Sequence, residues 1–306
     1  MPTSAPEPPE RPAATTVTAA VLRAWSLPDP GTGKDARGRV LIVGGSDQTP
    51  GAVLLAAEAA LRSGAGKLQV ATTASTAVAV AVAIPEALVV PLPQGPGGDI
   101  DPAAAEQLLE LAQGSSAVLL GPGMRDVDVA RALLDGIVPH LGPDAVGALV
   151  LDAAAHAWVG QHEDGLRHLP GQVLLTPNPT ELALTLGVER EEVTGAPGEH
   201  ARALALRVGA AVSCGGGESW ISDPDGRLWV DQSGGVGLGV SGSGDVHAGI
   251  VTGLAARGAG PTQAAVWGAH LHGRAGDRLA ASVGRLGFLA REVCPEVPRV
   301  LSELEA

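Results

Sequence analysis

An α/β fold, with a mostly parallel central sheet between two helical layers and an antiparallel hairpin at one sheet edge, is predicted by three observations. Short β-rich runs alternate with Ala-rich helical stretches from residue 39 onward, the βαβ signature of a parallel sheet covered on both faces. That alternation stops after Cys214, where two short runs flank the turn Pro224-Asp225-Gly226. Finally, 306 residues at 45% hydrophobic and 17% charged are enough to bury a sizeable core.

The elements follow in order. Residues 1–16, rich in Pro, Glu and Ala at their start, read as a disordered tail, and 17–306 as a single domain. The parallel strands are expected at 39–44 (RVLIVG), 67–72 (KLQVAT), 87–92 (ALVVPL), 117–121 (AVLLG), 148–153 (ALVLDA), 172–176 (QVLLT) and 210–214 (AAVSC). Between them lie helices such as 51–66 and 101–114, each closed by glycine. The runs SWISD (219–223) and RLWVD (227–231) form the edge hairpin, and two long helices, 243–258 and 261–281, finish the fold. No repeat or linker divides residues 39–281.

Composition narrows the function. A net charge of −13 and a pI near 5.0 argue against nucleic acid or an anionic membrane as partner, because phosphate surfaces favour clustered Lys and Arg. Aromatic residues make up only 2%, so stacking platforms are not expected. Cys214 and Cys294 form no CxxC pair, which indicates neither a disulfide framework nor a zinc site and makes the reducing cytoplasm the default. The N-terminus has no basic start followed by an apolar run, and the apolar run 76–90 is broken by Pro85 and Glu86, so neither a secretory signal nor a membrane span is expected.

In open α/β sheets, ligands bind beyond the carboxyl ends of the strands. Five unusual loops fall at that rim: GGSDQTPGA (44–52), GPGM (121–124), LDAAA (151–155), TPNPTE (176–181) and SGSGD (241–245). One shared site explains them better than turn-making alone. In SGSGD, a helix cap is the simple reading, but the backbone N–H groups of Gly242, Ser243 and Gly244 at a helix start also make an anion hole for a phosphate. Asp245 beside it is placed as a general base toward an attacking hydroxyl. Asp152, closing a strand at the rim, suits either a water-mediated Mg²⁺ contact or a cap on the next helix.

The ordered set RVLIVGGSDQTPGAVLLAAEAALRSGAGKL, GPGM, LVLDA, LLTPNPTE, SGSGDVHAG and HLHGRAGD resembles the ADP- or ATP-dependent NAD(P)H-hydrate dehydratases of the ribokinase-like superfamily, over residues 34–281. The resemblance implies a three-layer α/β/α fold and a lyase that repairs hydrated NADH or NADPH. A nucleoside di- or triphosphate, with Mg²⁺, phosphorylates the ring hydroxyl, and loss of phosphate restores the reduced cofactor. It implies substrate contacts at Ala52, Gly123, Asn178 and Asp245, and nucleotide contacts at Gly242, Ser243, Gly244, Cys214 and Gly215, with Asp245 catalytic. It also implies a homo-oligomer, often a tetramer.

Three positions depart from the family pattern: Asn178 stands where His is usual, Thr180 where Gly is usual, and Cys214 where Lys is usual. Asn178 can still hydrogen-bond, whereas Cys214 cannot replace an ammonium beside phosphate. Cys214 is not read as a nucleophile, since no neighbour in sequence would lower its pKa. His270 and His272 are two apart on a helix, on different faces, and are assigned to packing or capping; His247 is left facing solvent or the cleft, with no chemical role. A small-molecule kinase acting on a vitamin alcohol, and a nucleotide-binding protein without catalysis, remain as alternatives.

Overall fold

The computed structural model describes residues 13–29 and 31–305. Ten strands form one sheet: β1 (Thr15–Thr16), β2 (Arg39–Val43), β3 (Lys67–Thr73), β4 (Ala87–Leu92), β5 (Ser115–Leu120), β6 (Val146–Leu151), β7 (Val173–Leu175), β8 (Ala211–Cys214), β9 (Ser219–Ser222) and β10 (Leu228–Asp231). Their spatial order is β1-β10-β9-β8-β7-β6-β5-β2-β3-β4, and only the pairings of β9 are antiparallel.

Two expectations are corrected here. The expected tail of residues 1–16 ends too late, because Thr15 and Thr16 pair in parallel with Trp229 and Val230; residues 1–12 lie outside the described residues. For the same reason the hairpin is not the outermost pair, since β1 covers β10 and forms the edge itself.

The helices are α1 (Ala19–Ala24), α2 (Pro50–Arg62), α3 (Ala74–Ala83), α4 (Ala105–Ala112), α5 (Val127–Asp135), α6 (His156–Val159), α7 (Pro179–Leu186), α8 (Arg190–Gly195), α9 (Pro197–Val208), α10 (Ser243–Ala256), α11 (Pro261–Ser282) and α12 (Ala290–Glu305). Strand alternation sorts them into layers. Val40 and Ile42 point into one core with α2, α10, α11 and α12, while Leu41 and Val43 point into the other with α4 to α9. Burial on both faces is why these strands read as unbroken apolar runs. Helix α12 was not expected, because Pro295 and Pro298 lie inside it. Its apolar stripe, Val293, Val297, Val300, Leu301 and Leu304, nevertheless packs into the first core.

Two features of this architecture position the site. The chain leaves β2 toward β3 and β4, then returns on the other side of β2 with β5, so the sheet reverses its winding between β2 and β5. Helix α10 lies next to α2 because Gly249 and Gly253 present bare backbone to it: a Cβ at either would run into the carbonyl oxygens of Ala56 and Ala60. This close packing brings the start of α10 to the same rim as the loops after β2 and β5.

Candidate active site

The loops on either side of the winding reversal are tied to each other. The Gly45 N–H donates to the Pro122 carbonyl (2.7 Å), and the Thr49 hydroxyl donates to the Gly123 carbonyl (2.6 Å). Gly123, with φ of +70°, sits so close to the other loop that an added Cβ would be 2.7 Å from the Thr49 carbonyl oxygen and 2.8 Å from the Ala52 Cβ. Ala52 and Gly123 are therefore neighbours at this rim.

The start of α10 forms the second part. Gly242 is its N-cap, with φ of +90°, a left-handed backbone that glycine adopts without strain. The Ser243 N–H turns back to the Val240 carbonyl (3.1 Å), whereas among the described residues the N–H groups of Gly242, Gly244 and Asp245 have no protein acceptor. At this helix start the N–H groups open to a ligand are therefore those of Gly242, Gly244 and Asp245, not that of Ser243. Gly244 is exposed, and an added Cβ there would meet nothing within 4 Å, so a ligand has room to approach.

Asp245 is half-buried, and burial together with the nearby Glu181 carboxylate pushes its carboxyl up to about 6. A carboxyl titrating there is mostly ionised at neutral pH, yet far more basic than an ordinary surface Asp. Asp152 is 5% exposed; burial pushes it up to about 7 against the pull of His156, with Glu181 and Asp245 adding to the rise. Its Oδ1 accepts from the Thr176 hydroxyl (2.7 Å) and caps no helix, which removes the capping option. Ala153, next in sequence, holds a φ of +49°, uncommon for a residue with a side chain.

Asn178 is exposed at the rim, but its Oδ1 accepts from the N–H groups of Thr180 and Glu181, and Glu181 accepts from the Asn178 N–H (2.9 Å). This capping box leaves only the Asn178 amide NH₂ for a ligand. Cys214 is the expectation that the structure overturns. Its side chain is 1% exposed in the core beneath α4 to α9, on the opposite sheet face from α10, and burial pushes its thiol up to about 12. Only the backbone of the following Gly215, where a Cβ would meet open space, lies at the rim.

Helix α11 supplies contacts that sequence reasoning missed. His272 Nε2 lies 3.0 Å from the Ser243 hydroxyl, His270 Nδ1 lies 2.6 Å from Asp231 Oδ2, and Asp277 accepts from the Gly234 N–H (3.1 Å). The motif HLHGRAGD thus braces both the loop after β10 and the start of α10. His247 faces neither solvent nor cleft: it is buried, its ring is 5.6 Å from that of His272, and burial lowers both, to about 4 and about 3. The two rings are neutral at pH 7.

Residues 40–299 match the family model described as NAD(P)H-hydrate dehydratase. The chain is 46% identical over 291 residues to an ADP-dependent (S)-NAD(P)H-hydrate dehydratase of Xanthomonas campestris, covering 94% of this chain and 96% of that protein. It also matches bifunctional NAD(P)H-hydrate repair enzymes, whose length it spans by about half, as with that of Moorella thermoacetica (36% identical; 89% of this chain, 51% of that one). Among solved structures, the ADP/ATP-dependent NAD(P)H-hydrate dehydratase of Bacillus subtilis, co-crystallised with ATP and Mg²⁺, superposes with a TM-score of 0.77 at 25% identity, covering 95% of this chain and 99% of that one. A ribokinase-like superfamily protein of Enterococcus faecalis superposes at 0.80, with 23% identity and coverage of 97% and 99%, which bears on the fold.

Proposed function

The chain belongs to the NAD(P)H-hydrate dehydratase family and is a nucleotide-dependent lyase that restores NAD(P)H from its hydrate, and from that premise we propose how its own residues divide the work. The observation that carries the assignment is the start of α10, where unengaged N–H groups of Gly242, Gly244 and Asp245 surround an open approach beside a raised carboxyl.

Asp245 takes the proton from the ring hydroxyl of the hydrate as that oxygen attacks the terminal phosphorus of the nucleotide. The N–H groups of Gly242, Gly244 and Asp245, at the positive end of the α10 dipole, hold the phosphoryl oxygens through the transfer. Ala52 and Gly123 pack against the hydrated ring, the Asn178 NH₂ donates to it, and the Gly215 backbone meets the nucleotide. The nucleotide leaves one phosphate shorter, and loss of inorganic phosphate from that ring carbon, with a proton from the adjacent ring carbon, restores the ring double bond of the reduced cofactor. The relatives named ADP-dependent support ADP as the phosphoryl donor.

The residues present fit Mg²⁺ held mainly by phosphates. Among the described residues no group of three or more His, Cys, Asp or Glu is placed to hold a metal, but the Asp152, Glu181 and Asp245 carboxylates lie close enough that Glu181 raises the pKa of the other two, as suits an ion that keeps its waters and takes one or two carboxylates. Bound there, Mg²⁺ would neutralise phosphate charge. We further assign residues 15–305 to one domain, supported by the single continuous sheet that Thr15 and Thr16 join, and the chain to a cytoplasmic homo-oligomer, supported by the thiol state of both cysteines and the exposed Val78 and Val82 of α3.

The test is absorbance at the reduced-nicotinamide band, with hydrated NADH or NADPH, Mg²⁺ and either ADP or ATP. Recovery of the band is expected; none with any pairing overturns the assignment.

A further inference from the structure

A second concavity, of about 550 Å³, opens one residue beyond Gly123, between the loop after β5, α5, the turn after β6, and α7. Arg125 and Arg131 both line it, in a chain with only 20 Lys and Arg against 33 Asp and Glu. Its other wall is apolar: Met124, Val127 and Leu184, of which Val127 is 43% and Leu184 77% exposed. Neither guanidinium is fully engaged. Arg131 pairs on one side with Asp128 (2.7 Å) and leaves a buried Nε without a partner, and Arg125 reaches Asp47 only at 3.9 Å. Glu181 also lines the cavity, where its Oε2 accepts from the Asn178 N–H and lies 3.5 Å from the His156 ring, so the two guanidiniums must outweigh one carboxylate.

An apolar wall opposite two arginines matches a flat heterocycle carrying a phosphomonoester, because a guanidinium fork binds a dianionic phosphate in two places at once. The hydrated substrate carries one such group in one of its two forms, the 2′-phosphate on the adenosine of NADPH. We propose that this concavity holds the 2′-phosphorylated adenosine end of the substrate, so that the enzyme prefers hydrated NADPH to hydrated NADH. The inference rests on the dehydratase reading for its ligand, with the nicotinamide end at Ala52 and Gly123. Adenine lies against Val127 and Leu184, and Arg131 and Arg125 take the 2′-phosphate.

Calorimetry with adenosine 2′-monophosphate and with adenosine, under saturating ADP to fill the α10 site, tests the pocket directly. The phosphorylated probe is expected to bind about 10–100-fold tighter than adenosine, and Arg131→Gln to abolish the difference. Asp128→Asn, which frees Arg131 from its present partner, is expected to tighten the 2′-phosphate probe further. In kinetics, Arg131→Gln is expected to lower kcat/KM for hydrated NADPH about 10–100-fold and leave that for hydrated NADH unchanged. Equal affinity for the two probes overturns the proposal, and so does an equal loss with both hydrates, which would put the pyrophosphate bridge at these arginines. If the unmodified protein dehydrates neither hydrate, the dehydratase reading fails, while the calorimetry still decides the pocket.

Discussion

Asp245 stands where solvent meets core, and its behaviour follows from that position. Asp245→Asn is expected to keep the fold and nucleotide affinity while lowering kcat by roughly 10²–10⁴, read in the absorbance assay. Burial raises this carboxyl to about 6, and the base works only when ionised, so the rate is expected to rise with pH through about 6 and level off above it. A profile flat from pH 4.5 to 8 would remove Asp245 as the base. Asp152 makes a stability prediction. Burial raises its folded pKa to about 7, above the ordinary carboxyl value of 3.8, so the folded state holds a proton the unfolded chain releases, and that contribution is full below pH 4 and lost as pH rises through 7. Asp152→Asn, which mimics the protonated acid, is expected to raise Tm at pH 8, with the gain vanishing near pH 4. Asp245 and its glycines were legible because an acid following Gly-Ser-Gly at a helix start is a local pattern. The bracing of Ser243 by His272 was not, because 29 residues separate them and only packing joins them. Cys214 misled for a related reason: a family position implies a role, but strand alternation decides which sheet face the side chain takes.

The start of α10 separates two glycines with different jobs. Gly242 needs its left-handed backbone, and a Cβ there would also run into Leu55, so Gly242→Ala is expected to cost more than about 1 kcal/mol of stability. Gly244 has a helical backbone with open space around it. Gly244→Ala is expected to keep or raise Tm, by up to about 1 kcal/mol in helix propensity, while weakening ADP binding because the methyl stands in the ligand's approach. Denaturation and calorimetry on the two variants check the contrast; unchanged ADP affinity in Gly244→Ala would sink the anion hole. Farther along, Gly249→Ala is expected to cost about 1–3 kcal/mol, since its neighbour is the rigid α2 backbone. Most strands and the two long helices read correctly because their periodicity is strong. Helix α12 escaped because two prolines argue locally against a helix that tertiary burial then stabilises.

On the scale of the molecule, the parallel sheet was legible and its outer strand was not, because a two-residue strand has no period to read. The proposed homo-oligomer predicts a light-scattering mass that is a multiple of 30.5 kDa, and a 30.5 kDa particle at micromolar concentration would refute it. The pairing of β1 with β10 also sets a clock on biosynthesis. Strand β1 is the partner of one made about two hundred residues later, which at about 5–20 residues per second means a wait of roughly 10–40 s. That edge of the sheet can close only after β10 has been made. A nascent chain halted before Leu228 therefore carries a leading strand with no native partner, and cleavage by a protease added to such stalled ribosomes should fall around residues 13–17 until synthesis passes Asp231.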